Sequence, residues 1–375
     1  MSNKNHIMHL THISLINFKN YDQLELNFSN KINCFVGDNG TGKTNLLDAI
    51  YYLSLTKSYF HSLDSQNIRH GEDQFLIQAE FFREGMDEKI LCGVQRNKRK
   101  IFKRNKKEYT KLSEHVGLLP VVMISPADSS LIVEGSDERR KFLNAVISQF
   151  NREYLESMIR YNRALGQRNV LLKNFHRSGS YQPDQLEVWD EQLIQHGDYI
   201  FQQRVEFIQD LLPIFQQYYE SVSEGREKVN LIYKSQLLDK DLRTLLKDHE
   251  QKDRILQYTT AGIHKDDLGM TLSGYPIKRI GSQGQQKTFL VALKLAKFDF
   301  IRKVNGFHPI LLLDDVFDKF DANRVKQIIR LVADHEFGQI FITDTNPERI
   351  KNTLTELTID YKLFHVGKEG VYEQS

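Results

Sequence analysis

Residues 32–50 read Ile-Asn-Cys-Phe-Val-Gly-Asp-Asn-Gly-Thr-Gly-Lys-Thr-Asn-Leu-Leu-Asp-Ala-Ile. Ile32–Val36 is a short apolar run of strand type, and Leu46, Leu47, Ile50 and Leu53 recur at helical spacing. Between strand and helix lie Gly37, Asp38, Asn39, Gly40, Thr41, Gly42, Lys43 and Thr44, a complete G-x-x-x-x-G-K-T loop. Glycines let backbone amides converge on phosphate oxygens, and the helix that follows turns its positive N-terminal end on them. Lys43 is expected to reach the β- and γ-phosphates and Thr44 to set its hydroxyl on Mg²⁺, which makes ATP and Mg²⁺ the expected cofactors.

Two later segments supply the chemistry such a loop lacks. Pro309-Ile-Leu-Leu-Leu-Asp314-Asp315 is an apolar strand feeding two adjacent carboxylates. In a parallel sheet, ligands gather at the carboxyl ends of strands, so these acids are expected beside the phosphates. Asp314 is the candidate Mg²⁺ partner, and Asp315 the group that orients or deprotonates the attacking water. The other segment, Gly281-Ser282-Gln283-Gly284-Gln285-Gln286-Lys287, opens a helix carrying Phe289, Leu290, Ala292, Leu293 and Leu295. A small-residue turn at a helix start is either a second anion site, through Ser282, Gln283 and Gly284, or an ordinary cap.

Strand patterns dominate up to Val121–Ser125, with further runs at Leu10–Ile16, Leu24–Phe28, Phe75–Phe82, Ile90–Arg96 and Ile101–Arg104. From about Ser136 to Arg254 the apolar residues step by three and four instead, broken at Ser178–Asp184 by Gly179 and Pro183. Buried strands return at Ile310–Leu313 and Gln339–Thr343, with a helix over Ala322–Ala333 between them. The expected organisation is an α/β head from residues 1–125 and 258–375, interrupted by a helical lobe at 126–257.

Cys34 and Cys92 have no CxxC partner or nearby histidine cluster, so neither a disulfide framework nor a zinc site is indicated. No apolar run approaches a membrane span, and the first residues lack a signal-peptide core; a soluble, cytoplasmic protein is expected. The net charge is +2, yet Arg96–Lys107 holds eight basic residues and no acid, leaving the rest of the chain at −6. Such a concentration suits a polyanion or is a solvated hairpin. Lys98, Arg99, Lys103 and Arg104 are the candidate DNA contacts, made chiefly to phosphates.

Ser-Gln-Gly-Gln-Gln from 282 resembles the ABC signature. Its place ahead of Ile-Leu-Leu-Leu-Asp-Asp and Phe317-Asp318-Lys319-Phe320-Asp321 resembles the signature, Walker B and D-loop order of ABC and SMC ATPases. More narrowly, nearly the full length is similar to the RecF family of bacterial recombination mediators. The matching pieces are Gly-Asp-Asn-Gly-x-Gly-Lys-Thr-Asn-Leu-Leu from 37, Ser-Pro-Ala-Asp from 125, Glu-Arg-Arg-Lys-Phe-Leu from 138 and Gln167-Arg168-Asn169, together with His264-Lys265-Asp266-Asp267-Leu268 and Gly-Ser-Gln-Gly-Gln-Gln-Lys-Thr from 281.

The resemblance implies a P-loop NTPase of the ABC/SMC head type, with a short helical lobe in place of a long coiled coil. About 120 helical residues cannot make an antiparallel arm of more than roughly 90 Å. It also implies an ATP-dependent homodimer on DNA, acting at single-strand gaps with RecO and RecR ahead of RecA loading and the SOS response. ATP turnover would be slow and DNA-dependent, with Ser282 and the Gly284 turn of one copy closing over the γ-phosphate held by the other.

Three positions depart from the wider pattern. Asp315 stands where ABC enzymes generally carry Glu, although the RecF resemblance itself implies Asp. Asp344 and Thr345 follow the last buried strand where ABC enzymes place a His, and Lys265 stands where RecF-like sequences often have Arg. A nuclease fusion would need a further carboxylate cluster able to hold two metals, which the 60 residues after Asp315 do not offer. A transporter subunit would not normally carry so long a helical insertion. Lys19, Asn20 and Tyr21 stand near an adenine position without an assignable contact, and a lone His264 is read as a core histidine.

Overall fold

The strand and helix expected on either side of the glycine-rich loop form at Ile32–Val36 and Lys43–Leu55. They belong to a computed structural model that describes residues 8–223, 227–319, 322–333, 337–356 and 360–374. In chain order the strands are β1 (Met8–Phe18), β2 (Tyr21–Asn27), β3 (Ile32–Val36), β4 (Gln74–Arg83), β5 (Met86–Gln95), β6 (Ile101–Arg104), β7 (Lys107–Glu108), β8 (Val121–Ile124), β9 (Val229–Lys234), β10 (Asp267–Leu272), β11 (Tyr275–Pro276), β12 (Ile310–Asp314), β13 (Ile340–Asp344), β14 (Tyr361–Gly367) and β15 (Gly370–Gln374). The helices are α1 (Lys43–Leu55), α2 (Ser130–Val133), α3 (Ser136–Ile147), α4 (Arg152–Ser178), α5 (Pro183–Ser223), α6 (Leu242–Leu256), α7 (Ile277–Ile280), α8 (Gln283–Asn305), α9 (Ala322–Ala333) and α10 (Pro347–Glu356). They divide between two units, one built from described residues of 8–129, 221–223 and 287–374, the other from 130–220 and 227–286.

The first unit has two six-stranded sheets. One runs β15-β14-β3-β13-β12-β8, parallel except for β15 at its edge. β3, β8, β12 and β13 are buried at every position, the pattern of strands covered on both faces. The other sheet, β2-β1-β4-β5-β6-β7, is antiparallel, and its strands alternate buried with exposed residues. α1 contacts β8, β12 and β13 of the first sheet and β4 and β5 of the second. That placement explains why nearly all of α1 is buried instead of one stripe. The Gln339 side chain pins the sheets together, accepting from Leu10 N and donating to the carbonyls of Leu10 and Ser29, each at 2.7 Å.

The second unit holds the long helices α4 and α5, of 27 and 41 residues, and the small antiparallel sheet β11-β10-β9. Two features differ from the sequence reading. β9 interrupts the stretch read as helical, with the alternating burial of Val229-Asn-Leu-Ile-Tyr-Lys234. Because β10 pairs with β9 from Asp267↔Lys234 to Leu272↔Val229, residues 258–286 fold with the second unit, and the chain returns to the first at 287, not 258. Buried charges organise this unit. Arg168 donates to Asp190 and Asp253 at 2.6 Å each, and Arg204 donates to Asp266 at 2.6 Å. Among the described residues no helix is long and apolar enough to cross a membrane.

Candidate functional site

Four neighbouring parallel strands end together. Val36 pairs with Asp344, Thr343 with Asp314, and Leu313 with Ile124. One edge of the sheet therefore presents the Gly37–Thr44 loop, Asp344, Asp314–Asp315 and Ser125, where an open α/β sheet gathers ligands.

At two points of the loop both the backbone and a close neighbour require glycine. Gly37 and Gly42 have φ of 153° and 112°, and a Cβ would strike the Val366 carbonyl oxygen at the first and the Asn20 side chain at the second. The β1–β2 turn straps the loop from outside. Asn20 Nδ2 donates to Thr41 O at 3.1 Å, the Tyr21 hydroxyl to Gly42 O at 3.0 Å, and Asn45 Nδ2 to Asn20 Oδ1 at 2.7 Å. Lys19 pairs with buried Asp48 at 2.5 Å. These three residues thus put their polar atoms into shaping the loop and its helix. The Lys43 ammonium donates to the carbonyls of Gly37 and Asp38 at 2.7 Å each. Burial lowers its pKa, opposed by the carboxylates of Asp315, Asp314, Asp344 and Asp38.

Asp314 is held from three sides. Its Oδ1 accepts from Thr44 Oγ1 at 2.8 Å and from Thr343 Oγ1 at 3.0 Å, and its Oδ2 accepts from Ser125 Oγ at 3.2 Å. Burial raises its carboxyl pKa, countered by those hydroxyls and by Lys43. A hydroxyl and a carboxylate are hard oxygen donors of the kind Mg²⁺ takes when substrate phosphates and water complete its shell. Among the described residues, no group of three or more His, Cys, Asp or Glu side chains gathers as a metal cage. Asp315 follows with φ of 48°, an uncommon left-handed conformation for a residue with a side chain, and its N–H donates to Thr343 Oγ1 at 2.8 Å. The sequence gives no signal for Thr343 and Ser125, because each reaches Asp314 only from a neighbouring strand. Asp344 is clamped by Arg349 through Nε at 3.0 Å and Nη2 at 2.6 Å.

Ser282 caps α8 reciprocally. Gln285 N donates to Ser282 Oγ at 3.2 Å, and Ser282 N donates to Gln285 Oε1 at 2.7 Å. The ordinary cap is therefore realised, and it leaves Ser282 and Gln283 exposed with Gly284 half-buried. Phe320 and Asp321 of the segment resembling a D-loop lie outside the described residues.

The basic segment divides by task. Arg104, one of the candidate DNA contacts, is also tied into the fold. Its guanidinium grips buried Glu88, with Nε at 2.7 Å, and holds that carboxyl below its usual range. Lys100 is likewise occupied, by Asp64 at 2.8 Å and Thr56 O at 2.6 Å, and Arg99 Nη2 donates to Thr110 O at 2.8 Å. Lys98 is exposed in the β5–β6 turn. Lys103 lines an open groove of about 340 Å³ with His12, Glu80, Lys89 and Lys106.

The remaining motifs are structural ties within the second unit. Asp267 receives two prongs from Arg139, at 2.6 and 3.2 Å, and Arg140 donates to Asp266 O at 2.6 Å. Asn169 Oδ1 accepts from Thr259 N at 2.7 Å. His264 Nε2 donates to Thr259 O at 3.0 Å, so Nδ1 accepts from the Tyr161 hydroxyl at 2.9 Å; burial pushes its pKa down to about 4. Lys265 lies over the Tyr258 ring at 5.1 Å.

A family profile described as RecF/RecN/SMC N terminal domain matches residues 9–362. The DNA replication and repair protein RecF of Bacteroides fragilis (strain YCH46) is 53% identical over 372 residues, 98% of each chain. A solved structure described as the recombination mediator protein RecF-ATP in the RecFOR pathway matches with a TM-score of 0.90 at 29% identity, covering 100% of both chains. The Smc head domain of Pyrococcus furiosus, bound to the C-terminal domain of ScpA, matches with a TM-score of 0.58 at 16% identity over 98% of this chain and 97% of that one, a likeness of fold. The chain belongs to the RecF family, within the P-loop ATPases of the ABC/SMC head type.

Proposed function

We propose that this protein binds ATP and Mg²⁺ at the Gly37–Thr44 loop and hydrolyses ATP slowly, as a switch that closes and opens a homodimer on DNA. The observation that carries the reading is the 2.8 Å hydrogen bond from Thr44 to Asp314, which joins the end of the phosphate loop to the end of the acidic strand. Lys43 and the loop amides bind the β- and γ-phosphates, and Thr44 and Asp314 hold Mg²⁺, which when bound neutralises charge on the phosphate oxygens. Asp315 orients a water and takes its proton as the oxygen attacks the γ-phosphorus; the bond to the β-phosphate oxygen breaks, leaving ADP and phosphate. The RecF–ATP structure supports nucleotide binding at this fold.

Exposed Ser282, with the Gly284 turn, meets the γ-phosphate bound by a second copy, so loss of that phosphate opens the dimer. Residues 130–286 serve as the short second lobe of the head. The names of the relatives and the RecFOR pathway named for the RecF–ATP structure support a place in DNA repair. On that reading the dimer acts in the cytoplasm at single-strand gaps, with RecO and RecR, ahead of RecA loading and the SOS response, and DNA stimulates its weak ATPase. DNA is held through phosphates by the basic segment, with Lys98 and Lys103 carrying more than Arg104.

Analytical ultracentrifugation with and without ATP and gapped duplex DNA tests the reading. A dimer that needs ATP and is favoured by gapped DNA supports it. A monomer under every condition, or a dimer indifferent to ATP, sinks the switch.

A further inference from the structure

We propose that Ser125, Asp128 and Lys294 are positioning residues that orient Asp314 toward Mg²⁺, an inference that rests on the nucleotide-site reading above. The carboxylate torsion of an aspartate is broad and twofold, so bonds to one oxygen alone leave its plane poorly set. Thr44 and Thr343 hold Oδ1, and Ser125 Oγ holds Oδ2 at 3.2 Å. Ser125 is itself anchored, because its N–H donates to Asp128 Oδ2 at 2.9 Å across the Ser125-Pro-Ala-Asp128 turn that follows β8.

Asp128 is fixed in turn by a buried cation. Its Oδ1 accepts from Lys294 Nζ at 2.5 Å and also from the Tyr59 hydroxyl. Lys294 donates further to the Tyr59 hydroxyl at 2.9 Å and to Met123 O at 3.1 Å. The two charged side chains are only 3% and 4% exposed. An apolar pair of similar volume at such a place is often equally stable or more so, so stability alone does not account for these charges. What distinguishes them is the connection they make. A continuous path of hydrogen bonds and one ion pair runs from Lys294, on the helix that Ser282 caps, to the second oxygen of Asp314. Partners that orient a metal ligand typically cost 10- to 100-fold in metal affinity when removed, about the effect to look for here.

The test measures the affinity of the full chain for the non-hydrolysed analogue AMP-PNP by calorimetry, with Mg²⁺ and with EDTA. The ratio of the two affinities is compared for the wild type, Ser125→Ala, Lys294→Met and the double variant. Each single variant is expected to lose roughly 10- to 100-fold of the Mg²⁺-dependent tightening, and the double no more than the larger single loss, since both act through one oxygen. Ser125→Thr, which keeps the hydroxyl, is expected to restore the ratio. Variants that melt earlier but keep the wild-type ratio overturn the proposal, and should Lys294→Met not fold, the ratio for Ser125→Ala decides alone. A wild type that does not bind AMP-PNP at all sinks the nucleotide-site reading itself, and the positioning proposal with it.

Discussion

Thr44 and Asp314 stand 270 positions apart in the chain and 2.8 Å apart in the fold, hydroxyl to carboxylate. Two oxygens of this kind at one sheet edge tie the end of the glycine-rich loop to the acidic strand. Thr44→Val keeps the shape and removes the hydroxyl. ATP affinity in Mg²⁺ is expected to fall about tenfold, the weight of one hydrogen bond to a charged group. Affinity in EDTA should fall less. An equal loss under both conditions would remove Thr44 from the metal site.

Lys43 and Ser282 serve opposite sides of the proposed dimer contact. Lys43→Ala is expected to weaken ATP binding roughly 10- to 100-fold and to abolish ATP-driven dimerisation. Ser282→Ala should retain ATP binding, lose about 1 kcal/mol through the helix cap, and fail to dimerise. Normal sedimentation of Ser282→Ala as an ATP-dependent dimer would separate the signature from the interface.

The lysines of the basic segment and Arg104, which pairs with buried Glu88, should separate on salt. Replacing Lys98, Lys103 and Lys106 by Gln is expected to lower DNA affinity and to flatten the plot of log affinity against log salt by up to about 0.9 for each phosphate no longer neutralised. Arg104→Gln leaves buried Glu88 short of its partner, so its main effect should be a stability loss of roughly 1–3 kcal/mol. A salt slope unchanged by the lysine variant would place DNA elsewhere on the molecule.

Arg168 is 1% exposed and bridges Asp190 and Asp253. Arg168→Met strands fully buried Asp253 and leaves half-buried Asp190 without its cation, at a cost of about 3–5 kcal/mol. Trp189, the single tryptophan, neighbours Asp190 on α5, so its fluorescence reports the urea transition of that unit. A midpoint matching the wild type would show that the network contributes little.

His115 is fully buried. Its Nε2 donates to Leu53 O at 2.6 Å and its Nδ1 meets the Tyr109 hydroxyl at 3.2 Å, while burial pushes its pKa down to about 4. A neutral form favoured by folding gives stability that is fully present above the unfolded value near 6.5 and is lost as pH falls toward about 4. The loss amounts to about 3 kcal/mol from this one group. His115→Gln should therefore show a shallower fall in stability between those pH values, whatever its stability at pH 8. Parallel curves would assign the acid limb to other groups.

Local signals were legible where periodicity and turn chemistry agree. β6 and α9 form at the residues read from their spacing, and β3, the loop and α1 follow one another as the motif requires. β9 was hidden inside a helix-rich stretch, although Val229-Asn-Leu-Ile-Tyr233 alternates and carries β-branched and aromatic residues. Its partner β10 lies more than thirty residues downstream, and pairing across that distance decided both the strand and the boundary between the units.

The sequence by itself determined that Gly37–Thr44 has the form of a phosphate-binding loop, because glycine spacing and the following helix are local properties of the chain. It also marked Asp314 and Asp315 as acids at a strand's end. Only the tertiary structure decided which side chains hold them. The parallel register brings Thr343 and Ser125 onto Asp314, Asp128 carries the connection to Lys294, and Arg104 pairs with Glu88. The physical reason is range: a turn or a helix start is settled by neighbours a few residues away, whereas a hydrogen bond or ion pair depends on where distant strands are placed by burying their apolar faces.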